Sequence, residues 1–131
     1  AEKVYLQDGA RCLITPELIN KIIEIMKTEK AAALAVKEKN TIKKAEDNGR
    51  VIETIPRENI WEMQTPQAFE LELIKKALLY VKEKNIKVTD DCQAVELLGI
   101  KPLLVEGSYE NIKITTPEDL AIAEAILRRR G

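Results

Sequence analysis

Ala31-Ala32-Ala33-Leu34-Ala35-Val36, closed on either side by Lys30 and Lys37, is the stretch on which the fold turns. A near-continuous apolar run of this kind predicts a strand covered on both faces. Upstream, Thr15-Pro16-Glu17 supplies an N-cap, a proline at the first helical position and an acid facing the helix dipole. The helix it opens carries Leu18, Ile22, Ile25 and Met26 on one side, with Ile19 and Ile23 widening the stripe, and should run to about Glu29. Before it, Lys3-Val4-Tyr5-Leu6-Gln7-Asp8 is a short β-leaning run that ends in a carboxylate.

Downstream, Thr65-Pro66-Gln67 repeats the cap-and-proline device ahead of Phe69, Leu73, Ile74, Ala77, Leu78 and Val81, which predict a second amphipathic helix. Thr89-Asp90-Asp91 caps a short helix that stops at Gly99, Leu103-Leu104-Val105 reads as another buried strand, and Thr116-Pro117-Glu118-Asp119 caps a last helix from Leu120 to about Arg129. Strands alternating with helices point to a layered α/β sheet, parallel for the most part. No repeat, low-complexity tract or linker divides residues 1–131, so the chain reads as part of one domain with a single projection.

That projection is an arm at about residues 41–60. Asn48-Gly49 is a strong hairpin signal, read here as a type I′ turn, and its flanks Thr41–Lys44 and Arg50–Ile55 are only sparsely apolar. An isolated two-stranded ribbon is marginal in water, so the arm should lean on something else, either a second subunit or a sheet edge.

Composition narrows the function. Lys and Arg number 21 against 22 Asp and Glu, a formal charge of -1, so no global basic field invites nucleic acid or an anionic membrane. No apolar run is long enough to span a bilayer, and the first residues lack a signal-peptide layout. The two cysteines, Cys12 and Cys92, are too few for a disulfide framework, are expected to be small buried hydrophobes, and fit a reduced, cytoplasmic setting. Histidine is absent, which excludes imidazole acid–base chemistry and leaves Lys, Arg, Asp and Thr.

Among these, Asp8 and Arg11 follow the first strand, at the carboxyl edge where open α/β sheets bind ligands. A carboxylate there can hold a hydroxyl or help with a metal, and an arginine can fork onto phosphate; a strand-end Asp also commonly serves as a turn-former. Arg57, just after the arm, could anchor a phosphate or pair with Glu58 or Glu62 at the surface. Thr41 and Thr65 stand at element boundaries as hydroxyl donors or caps. Lys113 lies in an alternating segment, read as a strand, with Ile112 and Ile114 on the opposite side, which leaves its ammonium free to face a cleft or solvent. Trp61 and Met63 are expected to pack the arm's base, and Arg128-Arg129-Arg130 to close the last helix at the negative end of its dipole. All five glycines are isolated, so the Gly-rich phosphate loop usual between the first strand and helix of nucleotide-binding folds is not found here.

Taken together, Gln7-Asp8-Gly9-Ala10-Arg11, Asn40-Thr41-Ile42-Lys43, Ile55-Pro56-Arg57, Ile60-Trp61 followed by Gln64-Thr65-Pro66-Gln67, Val88-Thr89-Asp90-Asp91 and Val105 to Leu120 resemble, in order and spacing, the methylerythritol phosphate cytidylyltransferase family. The resemblance implies a Rossmann-like, GT-A-like nucleotidyltransferase fold, an arm that clasps a second subunit in a homodimer, and transfer of CMP from magnesium-bound CTP to 2-C-methyl-D-erythritol 4-phosphate. It implies that Arg57 and Lys113 position the sugar phosphate as the catalytic cations. It further implies that Asp8, Arg11, Thr41 and Thr65 contact substrate, with Asp8 the candidate for metal, and that the arm residues serve the partner's site.

Two departures stand out. The family usually has His-Asp-Ala-Ala-Arg-Pro where this chain has Gln7-Asp8-Gly9-Ala10-Arg11-Cys12, and Asp rather than Asn40 before the arm threonine. The family's Gly-rich CTP loop would precede everything here, so this chain is expected to be the C-terminal part of such an enzyme and not to bind CTP productively alone. A ribitol-5-phosphate cytidylyltransferase, or a non-catalytic dimerisation module, are the rival readings.

Overall fold

The apolar run becomes a strand, β2 (Ala31–Lys37), with every residue from Ala31 to Val36 buried. The computed structural model describes residues 2–131. Successive side chains of a strand point to opposite faces, and β2 uses both. Ala31 and Ala33 join Phe69, Ile74, Ala77, Cys92, Ala94 and Val95 in one cluster, while Ala32 and Leu34 join Ile22, Met26, Ala68 and Val105 in the other. Helix α1 (Pro16–Ile25) covers the second face; α2 (Leu71–Glu83) and α3 (Asp91–Glu96) cover the first. The alanines keep the strand slim enough for helices to sit close on either side.

Around β2 the sheet is ordered β1 (Lys3–Leu6), β5 (Trp61–Glu70), β2, β6 (Leu103–Glu106). It is mixed rather than mainly parallel. β2 pairs with β6 in parallel, but β5 runs antiparallel to both β1 and β2. β1, β2 and β6 thus point the same way, with β5 inserted against them. This is a consequence of the arm: the chain leaves β2, traverses β3 (Ile42–Ala45) and β4 (Val51–Ile55), and returns alongside β2 in the opposite sense.

β5 also overturns the reading of Thr65-Pro66-Gln67 as a helix start. These residues lie inside the strand, Phe69 faces the core from it, and the Thr65–Pro66 bond is cis. α2 begins only at Leu71, without a side-chain cap; instead the Leu71 N–H donates to Glu2 O and the Glu70 N–H to Lys30 O. Strand pairing overrides the local cap signal, and the proline fits because the ladder is interrupted at that point. Ala33 pairs with Gln67 but Ala35 with Met63, so Gln64, Thr65 and Pro66 stand opposite the single residue Leu34.

Elsewhere the local signals hold with adjustments. Thr15 caps α1 through the Leu18 N–H, although the helix ends at Ile25 and gives way to a turn before Glu29. Asp90 caps α3, and Thr116 with Asp119 forms a capping box on α4 (Pro117–Arg130). The hairpin exists, but its turn is not type I′. The Gly49 N–H donates to Glu46 O and the Glu46 N–H to Arg50 O, and only Gly49 has positive φ, at 87°. That is a turn over Glu46–Gly49 with a glycine bulge, shifting the register so that Ala45 faces Val51. Cys92 is buried, whereas Cys12 is exposed, contrary to expectation, because it sits in the turn after β1 rather than in an element. Among the described residues no helix is long and apolar enough to cross a membrane.

Candidate functional site

Because β1, β2 and β6 share a direction, their carboxyl ends share an edge of the sheet, the place where open α/β sheets carry ligand sites. The irregularity in β5 opens at the same edge, since Gln67 pairs with Leu6, the last residue of β1. Bulges release residues from the ladder and re-aim them. Here the release frees Thr65: its Oγ1 accepts the Asp8 backbone N–H at 3.0 Å and its carbonyl accepts from Asn111 Nδ2 at 3.0 Å.

Asp8 is held by this bond and by its own turn, in which Oδ1 accepts the Ala10 N–H at 2.9 Å and the Arg11 N–H donates to Asp8 O. Lys113 Nζ lies 3.3 Å from Asp8 Oδ2. The Ala10 N–H and the neighbouring Lys113 ammonium hold the Asp8 carboxyl below the usual carboxylate range, so it is ionised at neutral pH. The Ile114 N–H donates to Ala10 O, tying the two loops together. Residues Asn111–Thr115 form no strand; Lys113 nevertheless faces outward over Asp8, because Asn111 is buried and Ile112 and Ile114 are partly covered.

Arg11 does more structural work than its assignment as a ligand group suggests. Its Nη1 donates to Asn111 O at 2.6 Å and its Nη2 to Met63 O at 3.3 Å. Two of its five N–H donors are thereby engaged, and the other three have no hydrogen-bond partner among the described residues. Burial pulls its pKa down, with Asp8 and Glu62 acting in the opposite sense. Arg11, Lys113, Gln64, Glu62, Tyr109 and Asn111 line a groove of about 740 Å³. Asp8 and Thr65, with Gln67, Thr89 and Asp90, line a second of about 460 Å³. The Asp8–Lys113 pair stands between them.

Sequence reasoning missed the neutral amides beneath this pair. Gln64 and Asn111 are both buried; Gln64 Nε2 donates to Ser108 O at 2.9 Å and Asn111 Nδ2 to Gln64 Oε1 at 3.2 Å. Gly107 permits the approach, since a Cβ there would stand 2.6 Å from Gln64 Oε1. The C-terminal arginines were also underestimated. Arg130 donates to Glu110 Oε1 through Nε and Nη2 and to Leu13 O through Nη1, while Arg129 pairs with Glu110. The end of α4 thus clamps the loop after β1 to the loop after β6.

Thr41 and Arg57 are not brought to this cluster within one chain. Thr41 is exposed at the start of the arm. Arg57 pairs with neither Glu58 nor Glu62; its Nη1 donates to Lys39 O at 2.8 Å, beside Glu38, in a separate groove with Lys37, Pro56 and Trp61. Trp61 does sit at the arm's base, its ring 5.7 Å from Lys37 Nζ. Glu38 and Glu62 are neighbours there. The Asn40 N–H stabilises the Glu38 carboxylate and lowers its pKa, while the hydrogen bond with Glu38 and the adjacent negative charge raise that of Glu62. Among the described residues no cluster of three or more metal-ligating side chains occurs.

Comparison with known proteins agrees along the chain. The sequence profile of the family described as 2-C-methyl-D-erythritol 4-phosphate cytidylyltransferase matches residues 1–129. A protein of that name from Desulforamulus reducens is 52% identical over 130 residues, covering 99% of this chain and 56% of the relative. One from Pelotomaculum thermopropionicum is 47% identical over 127 residues, covering 97% and 53%. The chain spans about half the length of the curated relatives it matches. Among solved structures, the cytidylyltransferase of that name from Francisella tularensis superposes with a TM-score of 0.86 at 39% identity, covering 93% of this chain and 58% of that one. The 4-diphosphocytidyl-2C-methyl-D-erythritol synthase from Anaerococcus prevotii gives 0.89 at 38% identity, covering 98% and 59%.

Proposed function

We propose, for a chain that belongs to the 2-C-methyl-D-erythritol 4-phosphate cytidylyltransferase family, that it forms the sugar-phosphate half of an enzyme transferring CMP from CTP to 2-C-methyl-D-erythritol 4-phosphate. The observation that carries the reading is the convergence of Lys113, Asp8, Thr65 and Arg11 at the carboxyl edge of β1, β2 and β6.

A phosphate monoester with its second pKa near about 6 is largely dianionic at neutral pH, so its oxygen is a nucleophile without a general base. What it needs is to be held in line with the α-phosphorus of CTP while charge is spread off the transferring group. The phosphate oxygen forms its bond to that phosphorus, the bond to the β-phosphate's bridging oxygen breaks, and pyrophosphate leaves with the electron pair. Products are 4-diphosphocytidyl-2-C-methyl-D-erythritol and pyrophosphate.

Lys113 is the cation this chain offers the sugar phosphate. Half exposed and resting on Asp8, its ammonium can reach a phosphate without unfolding anything. Asp8, ionised and fixed by Ala10 and Thr65, accepts from substrate hydroxyls. Thr65 Oγ1 already accepts from Asp8, so its hydroxyl proton is available to donate. Arg11 adds its unused N–H groups. Arg57 and Thr41 reach the site of a second copy through the arm, making each site a product of two chains.

Magnesium fits this surface only as a companion of CTP. The described residues build no cage of three or more ligating side chains, and the oxygens of Asp8 are already turned to the Ala10 N–H and Lys113. An ion that keeps its waters and binds mainly through phosphates needs no more, and when bound it withdraws charge from the triphosphate.

The test is pyrophosphate release by the complete gene product with CTP and methylerythritol phosphate, run beside ribitol 5-phosphate. Turnover with methylerythritol phosphate is expected. Turnover with ribitol 5-phosphate alone would move the assignment to the related enzyme, and none with either would leave a dimerisation module.

A further inference from the structure

Asn111 is among the most deeply buried side chains, at 1% exposed, yet it belongs to a loop rather than to an element of the core. Its bonds go to each part of the site. The main-chain oxygen receives Arg11 Nη1 at 2.6 Å, the side-chain Nδ2 reaches Thr65 O at 3.0 Å and Gln64 Oε1 at 3.2 Å, and Lys113 follows two residues later.

The amide's orientation is dictated by its surroundings. Gln64 must donate to Ser108 O through Nε2, so it turns Oε1 toward Asn111. With that oxygen and Thr65 O both acceptors, only Nδ2 can face them. Asn111 Oδ1 is then left buried without a donor among the described residues. Buried acceptors are nearly always paired, and a residue present for packing alone would not carry an orphan. The group that is kept at this expense is Nδ2.

We propose that Asn111 is a positioning residue for the sugar phosphate: its amide fixes the bulge at Thr65 and its carbonyl fixes Arg11, so that the two stand in fixed places on either side of the Asp8–Lys113 pair that meets the phosphate. The proposal rests on the function proposed above and adds a residue that touches no substrate. Displacing either group by an ångström costs on the order of 100-fold in rate without removing a contact residue.

The decisive variant is Asn111→Asp in the complete gene product. It is isosteric, but when ionised it places a carboxylate against two acceptors; when protonated it regains one donor. Asn111→Ser, which keeps a donor too short for both partners, is the second variant. With CTP and methylerythritol phosphate, kcat/KM for the sugar phosphate in Asn111→Asp should fall on the order of 100-fold at neutral pH. It should recover relative to wild type as pH falls into the carboxylate range, with KM for CTP unchanged. Asn111→Ser should show a pH-independent loss of the same kind. Wild-type kcat/KM for the sugar phosphate in both variants overturns the proposal, as does a parallel loss toward both substrates that merely tracks the melting temperature. Two variants that fail to fold assign Asn111 to the fold alone, which also overturns it. Inactive wild-type protein removes the function first, and this residue's role with it.

Discussion

Replacing Gly107 by alanine probes the amide network by adding one carbon. The new Cβ would stand 2.6 Å from Gln64 Oε1, with Leu34 Cβ at 3.5 Å and Ala35 O at 3.6 Å behind it. Contact below 3.0 Å forces a shift, and the atom that must move ends a flexible side chain. Gln64 is flexible only in principle: it is buried, with Nε2 donating to Ser108 O and Oε1 accepting from Asn111. Moving it strands at least one buried polar group at about 1–3 kcal/mol. Backing Gly107 away instead stretches its N–H bond to Ala35 O, now 2.9 Å, at the last paired residues of β2 and β6. Either route lowers the melting temperature by several degrees, at about 4 °C per kcal/mol for a chain whose 131 residues fall between the small and medium size classes. Calorimetry reads the stability, and kcat/KM for methylerythritol phosphate reads the consequence at Thr65 and Arg11. An alanine variant with wild-type melting and kinetics would show that Gln64 repacks freely, and the network would not organise the site.

Other perturbations bear on separate parts of the structure. Glu62 is held above the usual carboxylate range by Glu38, with Lys39 and Arg11 pulling it the other way. A folded-state pKa above the unfolded one means that this group's contribution to stability is lost as pH rises through that interval, so the melting temperature of Glu62→Gln should gain on wild type as pH rises above about 4.5; a difference that does not change with pH contradicts the pairing. Arg130→Lys should lose about 1 kcal/mol in denaturant unfolding and resemble Arg130→Ala, because an ammonium cannot serve Glu110 and Leu13 O together; full retention of stability would show that the clamp is idle. Burial and the adjacent Asp90 push the Cys92 thiol up to about 12, while Cys12 is exposed, so alkylation of the folded protein near pH 8 should label Cys12 alone. Two labels would place Cys92 outside the core.

Legibility in the sequence followed the range of the interactions. The run at Ala31–Val36 and the caps at Thr15, Asp90 and Thr116 could be read because burial on two faces and capping are written in adjacent residues. Thr65-Pro66-Gln67 looks locally like Thr15-Pro16-Glu17 and Thr116-Pro117-Glu118, and only pairing with distant β1 and β2 makes it a strand. Asp8, Arg11, Thr65 and Lys113 were identifiable by chemical type, and the fold unites them. Gln64 and Asn111 carry no charge and meet across 47 residues, so nothing local marked them. Thr41 and Arg57 remain apart from the cluster in one chain, and nothing in their local sequence says where they act.

Whether two chains complete one site is decided by mixing variants. Arg57→Ala and Lys113→Ala proteins, each inactive as a homodimer, are combined in equal amounts, allowed to exchange subunits and assayed for pyrophosphate release. Half the dimers should then be mixed, each with one site holding both cations, restoring roughly a quarter of wild-type activity. A mixture as inactive as its components, with exchange verified, would contradict a site shared between chains.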